Sequence, residues 1–269
     1  MTDASHPVLA ELAVERWRDG IIERTTDRIA EEVPVALTYH GVPHVVMLAT
    51  PADLDDLAFG FTLSESIASR REIRSVESGP REDGAYEVRI GIDTERFAEL
   101  LRRPRNLAAR TGCGLCGAET VEQAIRTPSP LGEGVSVSAR ELHAVLAQLH
   151  EHQRINRQTG SVHASAWVEP GRGIVLVRED VGRHNALDKV IGALARNDVN
   201  FGTGYIVTTS RASYEMVQKA ASVGACMLVA VSAPTAFAVR LAESSGLTLI
   251  GFARERQHVV YANAHRLQD

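Results

Sequence analysis

The sequence predicts an α/β protein in two units, a small N-terminal α+β domain and a C-terminal domain of three layers, α/β/α. Three observations carry that expectation. From Ile174 to Gly251 short apolar strand-like runs alternate strictly with amphipathic helical stretches, the pattern of a mostly parallel sheet with helices on both faces. Before this region, two apolar runs flank His40-Gly41-Val42-Pro43 and read as a hairpin. Between the two regions, Thr127-Pro128-Ser129-Pro130-Leu131-Gly132 is the clearest linker in the chain. The expected organisation is a flexible N-terminal arm over 1–20, an α+β domain over 21–126, a linker over 127–134 and an α/β domain over 135–269.

The arm reads as polar and loosely attached, with a short helix around Val8 to Trp17. Val33 to Tyr39 and Val45 to Leu48 are the hairpin strands. Thr50-Pro51-Ala52-Asp53 looks like a helix start, with threonine as N-cap and proline at the first helical position. Leu54, Leu57, Ala58 and Phe61 then share one face, which reads as core. Strands at Ile73 to Glu77 and Tyr86 to Ile92 and a helix at Glu95 to Leu101 complete the unit, and Glu119 to Ile125 can form a short helix.

Past the linker, Ser138-Ala139-Arg140-Glu141 is a capping box, and Leu142, Val145, Leu146 and Leu149 give its helix an apolar stripe. Val162 to Val168 and Ile174 to Val177 read as strands joined at Gly171-Arg172-Gly173. The alternating series follows: helix Asn185 to Ala195, strand Tyr205 to Thr209, helix Tyr214 to Ser222, strand Cys226 to Val231, helix Phe237 to Ala242, strand Leu247 to Gly251.

The chain has 269 residues and a formal net charge of -5, so nothing global argues for nucleic acid or an anionic membrane surface. No apolar run approaches the length of a membrane helix. Met1 to Asp19, with Asp3, Glu11 and Glu15, does not read as a secretory signal. Three cysteines do not make a disulfide scaffold, and a reducing cytoplasm is the expected location.

Cys113 and Cys116, in Thr111-Gly112-Cys113-Gly114-Leu115-Cys116-Gly117, are therefore present for their sulfur. The glycines favour an exposed loop. Arg102, Arg103, Arg105 and Arg110 lie just upstream, with no acid from Leu101 to Leu115, and nearby cations favour thiolate, the nucleophilic form. Four readings stand side by side. A structural zinc site would need scattered histidines to complete it. A deaminase zinc site would need His-x-Glu and Pro-Cys-x-x-Cys, and the chain has neither. A thioredoxin-like pair would sit at a helix start after the first strand of a small domain. The fourth reading is a persulfide carrier. Cys226, in an apolar strand, reads as packing.

In a sheet of this kind ligands bind beyond the carboxyl ends of the strands. Three such ends are polar or cationic: Thr208-Thr209-Ser210-Arg211, Ser232-Ala233-Pro234-Thr235 and Phe252-Ala253-Arg254-Glu255-Arg256. Hydroxyls, helix-start N–H groups and arginines suit a phosphate or diphosphate; the plainer reading of each turn is a helix cap. No Walker loop and no Gly-x-Gly-x-x-Gly occurs. Glu179 to Lys189 is a second dense polar stretch. His184 is either a neutral proton acceptor near a helix N-terminus, or Asp180, His184 and Asn185 only cap the helix while Asp188 and Lys189 lie on its surface. His163 reads as a satisfied core or edge histidine.

The Cys-x-x-Cys stretch, Glu179 to Lys189, Ser210 to Lys219, Ser232 to Thr235 and Gly246 to Arg254 together resemble the formate dehydrogenase accessory sulfurtransferase family (FdhD/NarQ type), as do Glu32 to Leu37 and Met47 to Phe61. The family pattern Ala-Gly-Arg before the first cysteine is Ala108-Ala109-Arg110 in this chain. The resemblance implies a C-terminal domain like the cytidine deaminase fold without its zinc site, and a cytoplasmic homodimer. It implies a sulfurtransferase that takes sulfur from a cysteine desulfurase and passes it to the molybdenum bis(molybdopterin guanine dinucleotide) cofactor required by formate dehydrogenase. Cys113 would carry the persulfide and Cys116 relay or shield it. Phe252, Ala253, Arg254, Glu255, Arg256 and Gln257 would bind the guanine dinucleotide, for which GDP is a mimic, with Ser210, Arg211, Ser232 and Thr235 beside them. No resident metal, nucleic acid or membrane insertion is implied.

Overall fold

The computed structural model describes residues 7–102 and 128–269. The chain opens on two ten-residue strands, β1 (Leu9–Arg18) and β2 (Ile21–Ala30), paired antiparallel. Asp19 and Gly20 join them with φ of 51° and 80°, the left-handed pair that a two-residue hairpin turn needs. The expected arm is thus in its described part a hairpin strand, and the helix expected around Val8 to Trp17 is corrected to β1. Alanine, leucine, glutamate and arginine favour a helix there, but partner strand β2 overrides that local preference.

The N-terminal unit follows as β3 (Val33–Tyr39), β4 (Val42–Ala49), α1 (Leu54–Ser64), β5 (Ile73–Pro80), β6 (Tyr86–Ile92) and α2 (Thr94–Arg102). The sheet order is β4-β3-β6-β5, with β3 and β6 parallel and the other pairs antiparallel. The β3-β4 turn is His40-Gly41, again with both φ positive. Leu54, Leu57, Ala58 and Phe61 of α1 do pack into the core, against Val35, Leu37, Val88 and Ile90 of the sheet.

The C-terminal unit contains β7 (Val137–Ser138), α3 (Ala139–Gln148), the short α4 (Asn156–Thr159), β8 (His163–Glu169), β9 (Gly173–Asp180), α5 (Arg183–Arg196), β10 (Tyr205–Thr208), α6 (Tyr214–Ser222), β11 (Met227–Ala230), α7 (Ala236–Ser245), β12 (Thr248–Arg254), β13 (Gln257–Ala262) and β14 (Leu267–Gln268). Its six-stranded sheet has the order β13-β12-β11-β10-β8-β9. α5, α6 and α7 cover one face, where Trp167, Leu187, Ile191, Ile206, Val217 and Leu249 meet. α3 covers the other, on Ala166, Val168, Val207 and Val229. The mostly parallel sheet expected is corrected to a mixed one. Only β10, β11 and β12 run parallel; β8, β9 and β13 are antiparallel to their neighbours. The short turns after β8 and β12 leave no room for a crossover helix, so those pairs must be antiparallel.

The two units are pressed together where α1 crosses α5. A Cβ on Gly60 would lie 1.8 Å from the Asp188 carbonyl oxygen, and one on Gly192 would lie 1.9 Å from that of Asp56, so the two backbones touch and only glycine fits. Charges clamp the crossing: Asp56 accepts Arg178 at 2.9 Å and Arg196 at 2.7 Å, and buried Lys219 reaches Asp188 at 2.9 Å and Glu65 at 2.8 Å. Burial works against the Lys219 charge, but Asp188 and Glu65 outweigh it and push its pKa up to about 12.

Two local expectations are corrected. Thr50 does not cap α1, which starts at Leu54 behind Asp53, a residue at φ 53° without a side-chain cap bond. Thr50 is drawn away by the other unit: its N–H donates to Asp180 Oδ2 at 3.0 Å and its hydroxyl accepts from Val181 N–H at 3.2 Å. At α3 only half of the capping box forms. Ser138 accepts from Glu141 N–H, while the Glu141 carboxylate reaches across to Gly171 N–H at 2.6 Å.

Candidate functional site

The carboxyl edge of the sheet gathers the turns that the sequence singled out. The turns after β10, β11 and β12 are stitched together by backbone contacts: Ala212 bridges Pro234, Thr235 N–H donates to Ala212 C=O at 3.0 Å, and Phe252 N–H donates to Ser232 C=O at 3.2 Å. Ser210, Arg211, Ser232, Thr235 and Phe252 therefore share one rim. Their roles differ. Ser210 is buried, its hydroxyl bonded to Thr208 Oγ1 at 3.1 Å and to the Arg211 carbonyl at 3.0 Å. The Thr235 hydroxyl caps α7 by accepting from Ala238 N–H at 3.2 Å. Arg211 is exposed, and among the described residues it has no ion-pair partner.

Phe252 to Gln257 is not a loop after the last strand. Phe252, Ala253 and Arg254 belong to β12, Gln257 opens β13, and Glu255 and Arg256 form the tip between them. The register slips between Gly251 and Arg254, and Phe252 sits at φ 48° within this bulge. Phe252, Arg254, Glu255, Arg256 and Gln257 are exposed, while Ala253 is fully buried in the core under α3. Ala253 can offer a ligand only its backbone. Beside the tip of the same hairpin His258 Nδ1 meets His143 Nε2 of α3 at 2.9 Å. Burial, and then His143, hold the His258 pKa below its ordinary value.

Glu179 to Lys189 proves to be a buried clasp between the units. Asp180 and Lys189 are both fully buried and 2.7 Å apart. Asp180 also accepts from Gly182 N–H at 2.8 Å and Asn185 Nδ2 at 2.9 Å, and Asn185 Nδ2 reaches the Leu48 carbonyl at 2.8 Å. Lys189 Nζ donates to the Thr50 carbonyl at 3.1 Å. Asp188 and Lys189, read from the sequence as possible surface residues, are interior because α1 covers this side of α5. The Glu179 carboxylate accepts the N–H groups of Ile155 and Asn156, both at 2.8 Å, where the start of α4 supplies donors. His184 is buried at the start of α5, with Nε2 3.9 Å from Glu215 on α6. His163 is half-buried, and burial, then the Arg183 cation, hold its pKa below the ordinary value against a weaker pull from Asp180.

Cys113, Cys116 and the arginines at 103, 105 and 110 lie outside the described residues, as does the short helix expected at Glu119 to Ile125. The third cysteine is described. Cys226 is buried beside Arg266, its thiol donating to the Gly224 carbonyl at 3.5 Å, and burial pushes its pKa up. Among the described residues no three His, Cys, Asp or Glu side chains gather as a metal site.

The family model described as FdhD/NarQ matches residues 30–268. The chain belongs to the FdhD/NarQ family. Among curated members of that family, a protein of Cupriavidus necator named sulfur carrier protein FdhD is 51% identical over 267 residues, covering 99% of this chain and 92% of its own. One of the same name from Xanthomonas euvesicatoria pv. vesicatoria is 49% identical over 255 residues, covering 94% of this chain and 90% of its own. In fold, the chain matches a crystal structure from Desulfotalea psychrophila described as a formate dehydrogenase accessory protein. The TM-score is 0.80, with 22% identity, over 97% of this chain and 100% of that one. The FdhD/NarQ match thus spans both units and the clasp between them. Among the described residues no helix is long and apolar enough to cross a membrane.

Proposed function

We propose that this protein is a sulfur carrier for the maturation of formate dehydrogenase. It takes sulfur from a cysteine desulfurase as a persulfide on Cys113 and passes it to the molybdenum bis(molybdopterin guanine dinucleotide) cofactor, its substrate. The observation that carries the reading is near-full-length identity of about half to relatives named sulfur carrier proteins. The state of the third cysteine supports it: Cys226 is buried with its pKa pushed up, so thiolate chemistry falls to Cys113 and Cys116. In the loading step the Cys113 thiolate attacks the outer sulfur of the desulfurase persulfide. The bond between the two donor sulfurs breaks, the desulfurase thiolate leaves, and a new sulfur–sulfur bond forms at Cys113. Cys116 relays or shields that sulfur.

The exposed Phe252, Arg254, Glu255, Arg256 and Gln257, with Ala253 through its backbone, then hold the guanine dinucleotide, for which GDP serves as a probe. Arg254 and Arg256 take its phosphates, and Ser210, Arg211, Ser232 and Thr235 form the adjoining rim. Likeness of the C-terminal unit to the cytidine deaminase fold, a cytoplasmic location and a homodimer belong to the same reading.

The rival reading is a chaperone that hands over the cofactor without moving sulfur. Cys113→Ala separates the two in a strain whose formate dehydrogenase depends on this protein. The sulfur-carrier reading expects dehydrogenase activity to fall to the level of the deletion; activity retained near wild type would favour the chaperone.

A further inference from the structure

We infer that the starts of α5 and α6, with Arg183, Ser165 and Ser213, form a binding pocket for a phosphate-type oxyanion that is separate from the Phe252 to Gln257 hairpin. It deepens the cofactor reading of this sheet edge and rests on it only for the identity of the natural ligand.

The two helix starts are neighbours, because His184 in the first turn of α5 lies 3.9 Å from Glu215 in the first turn of α6. Neither is capped from within. α5 begins behind Gly182, which has no side chain, and α6 behind Ser213, whose hydroxyl makes no cap bond. By contrast, Ser138 and Thr235 do cap α3 and α7. Helices of 14 and 9 residues thus present first-turn N–H groups and the positive ends of their dipoles to the same place.

Three side chains there hold polar atoms that are buried and unpartnered among the described residues: Ser165 Oγ, Ser213 Oγ and Arg183 Nε. Ser165 is 0% exposed. It lies on the same face of β8 as Trp167, which packs under α5, and opposite Thr208 of β10. Its hydroxyl is therefore directed into the helix-covered layer near the rim, beneath the first turn of α5. A buried hydroxyl without a partner in the chain is costly, and an acceptor or donor from outside the chain would remove that cost. Arg183 is the cation of the group. Among the described residues it has no carboxylate partner, and its charge reaches His163 strongly enough to help depress that imidazole. Of the acids nearby, Asp180 is engaged with Lys189 and Glu179 with the N–H groups of Ile155 and Asn156, while Glu215 stands 3.9 Å from His184 Nε2, beyond hydrogen-bond distance, and needs a protonated His184 to offset its charge when an anion binds.

A guanidinium, two hydroxyls and two sets of helix-start N–H groups match the oxygens of a phosphate or diphosphate group. That group is either the diphosphate of the dinucleotide reaching in from the hairpin or a free phosphate-type anion.

The test is calorimetric titration of the full chain with inorganic pyrophosphate, GDP and guanosine, repeated with Arg183→Gln, Ser165→Ala and Arg254→Gln. Pyrophosphate is expected to bind wild type and to lose about tenfold or more in affinity in Arg183→Gln, as expected for a lost charge-assisted contact. Ser165→Ala should weaken binding by a few-fold, while its melting temperature stays level or rises because an unpartnered buried hydroxyl is gone. A purely structural serine would show the reverse. In NMR titrations pyrophosphate should also raise the His163 pKa by offsetting Arg183. GDP weakened in proportion to pyrophosphate by Arg183→Gln would identify the nucleotide diphosphate as the occupant. GDP weakened only by Arg254→Gln, with pyrophosphate still dependent on Arg183, would identify a free anion. Pyrophosphate that does not bind, or that binds Arg183→Gln and Ser165→Ala as well as wild type, overturns the pocket. If GDP binding that needs Arg254 survives in that case, the pocket falls and the hairpin reading stands.

Discussion

Replacing Gly192 by alanine sets two effects of opposite sign against each other. Gly192 lies inside α5, and helix propensity alone favours alanine by about 1 kcal/mol. The crossing with α1 opposes it. The new Cβ would stand 1.9 Å from the Asp56 carbonyl oxygen, with the Gly60 backbone nitrogen at 2.8 Å. Neither neighbour is a side chain that can rotate away. Restoring ordinary contact requires α1 and α5 to separate by about 1.5 Å, and forced overpacking of this kind costs about 1–3 kcal/mol, at times more. The same movement stretches the Arg196 to Asp56 and Lys219 to Glu65 pairs that straddle the crossing, which adds to the cost. Packing should win, giving a net loss of about 1–3 kcal/mol and a melting temperature lower by about 2–12 °C for a chain of this size. Urea and thermal unfolding of Gly192→Ala and Gly60→Ala measure it directly. Alanine variants as stable as wild type, or more so, would refute the close crossing and the interface built on it.

Asp180→Asn should be more damaging, since it leaves the fully buried Lys189 ammonium without its counter-charge. The expected loss is about 3–5 kcal/mol, and Asp180→Asn with Lys189→Met should recover part of it in a double-mutant cycle. Additive losses would contradict the pairing. Glu72 is held well below the ordinary carboxylate value of 4.5, down to about 2, by the Ser69 hydroxyl and N–H and by Arg96. Its contribution is therefore fully present above about pH 4.5 and lost as the pH falls toward 2. The stability gap between wild type and Glu72→Gln, followed by urea unfolding, should close over that window; a gap independent of pH would contradict it. Native protein treated with iodoacetamide at mildly alkaline pH should be labelled at Cys113 and Cys116 and spared at Cys226, which should react only after unfolding. Equal labelling of all three by peptide mass mapping would contradict the buried state of Cys226.

The sequence made the alternating half of the fold legible because local pattern and tertiary role agree there. Tyr214 to Ser222 is a helix over the expected residues, and the strands expected at Tyr205 to Thr209 and Cys226 to Val231 form as Tyr205–Thr208 and Met227–Ala230. Where tertiary partners decide, the local signal misled. Thr50 has the chemistry of an N-cap, but Asp180, 130 residues away, takes its N–H. Leu9 to Arg18 has helical composition and becomes a strand through β2. Strand β13 was missed because Arg254-Glu255-Arg256-Gln257 carries no glycine, asparagine or proline to mark the turn. Asp188 and Lys189 look like ordinary surface charges until α1 is laid over them. At the candidate site, the polar turns Ser210–Arg211 and Ser232–Thr235 could be read from composition, and the fold brings them to one rim. The unpartnered hydroxyls of Ser165 and Ser213 could not, because a serine's lack of a partner is a property of three-dimensional surroundings.

The measurement that tests the central claim most directly is mass spectrometry of the reduced protein after incubation with a cysteine desulfurase and cysteine. The account predicts one added sulfur on Cys113 in the peptide that also holds Cys116, removed by excess thiol, passed on when the cofactor is supplied, and absent from Cys226. An unmodified Cys113 beside a demonstrably active desulfurase would contradict the sulfur-carrier reading.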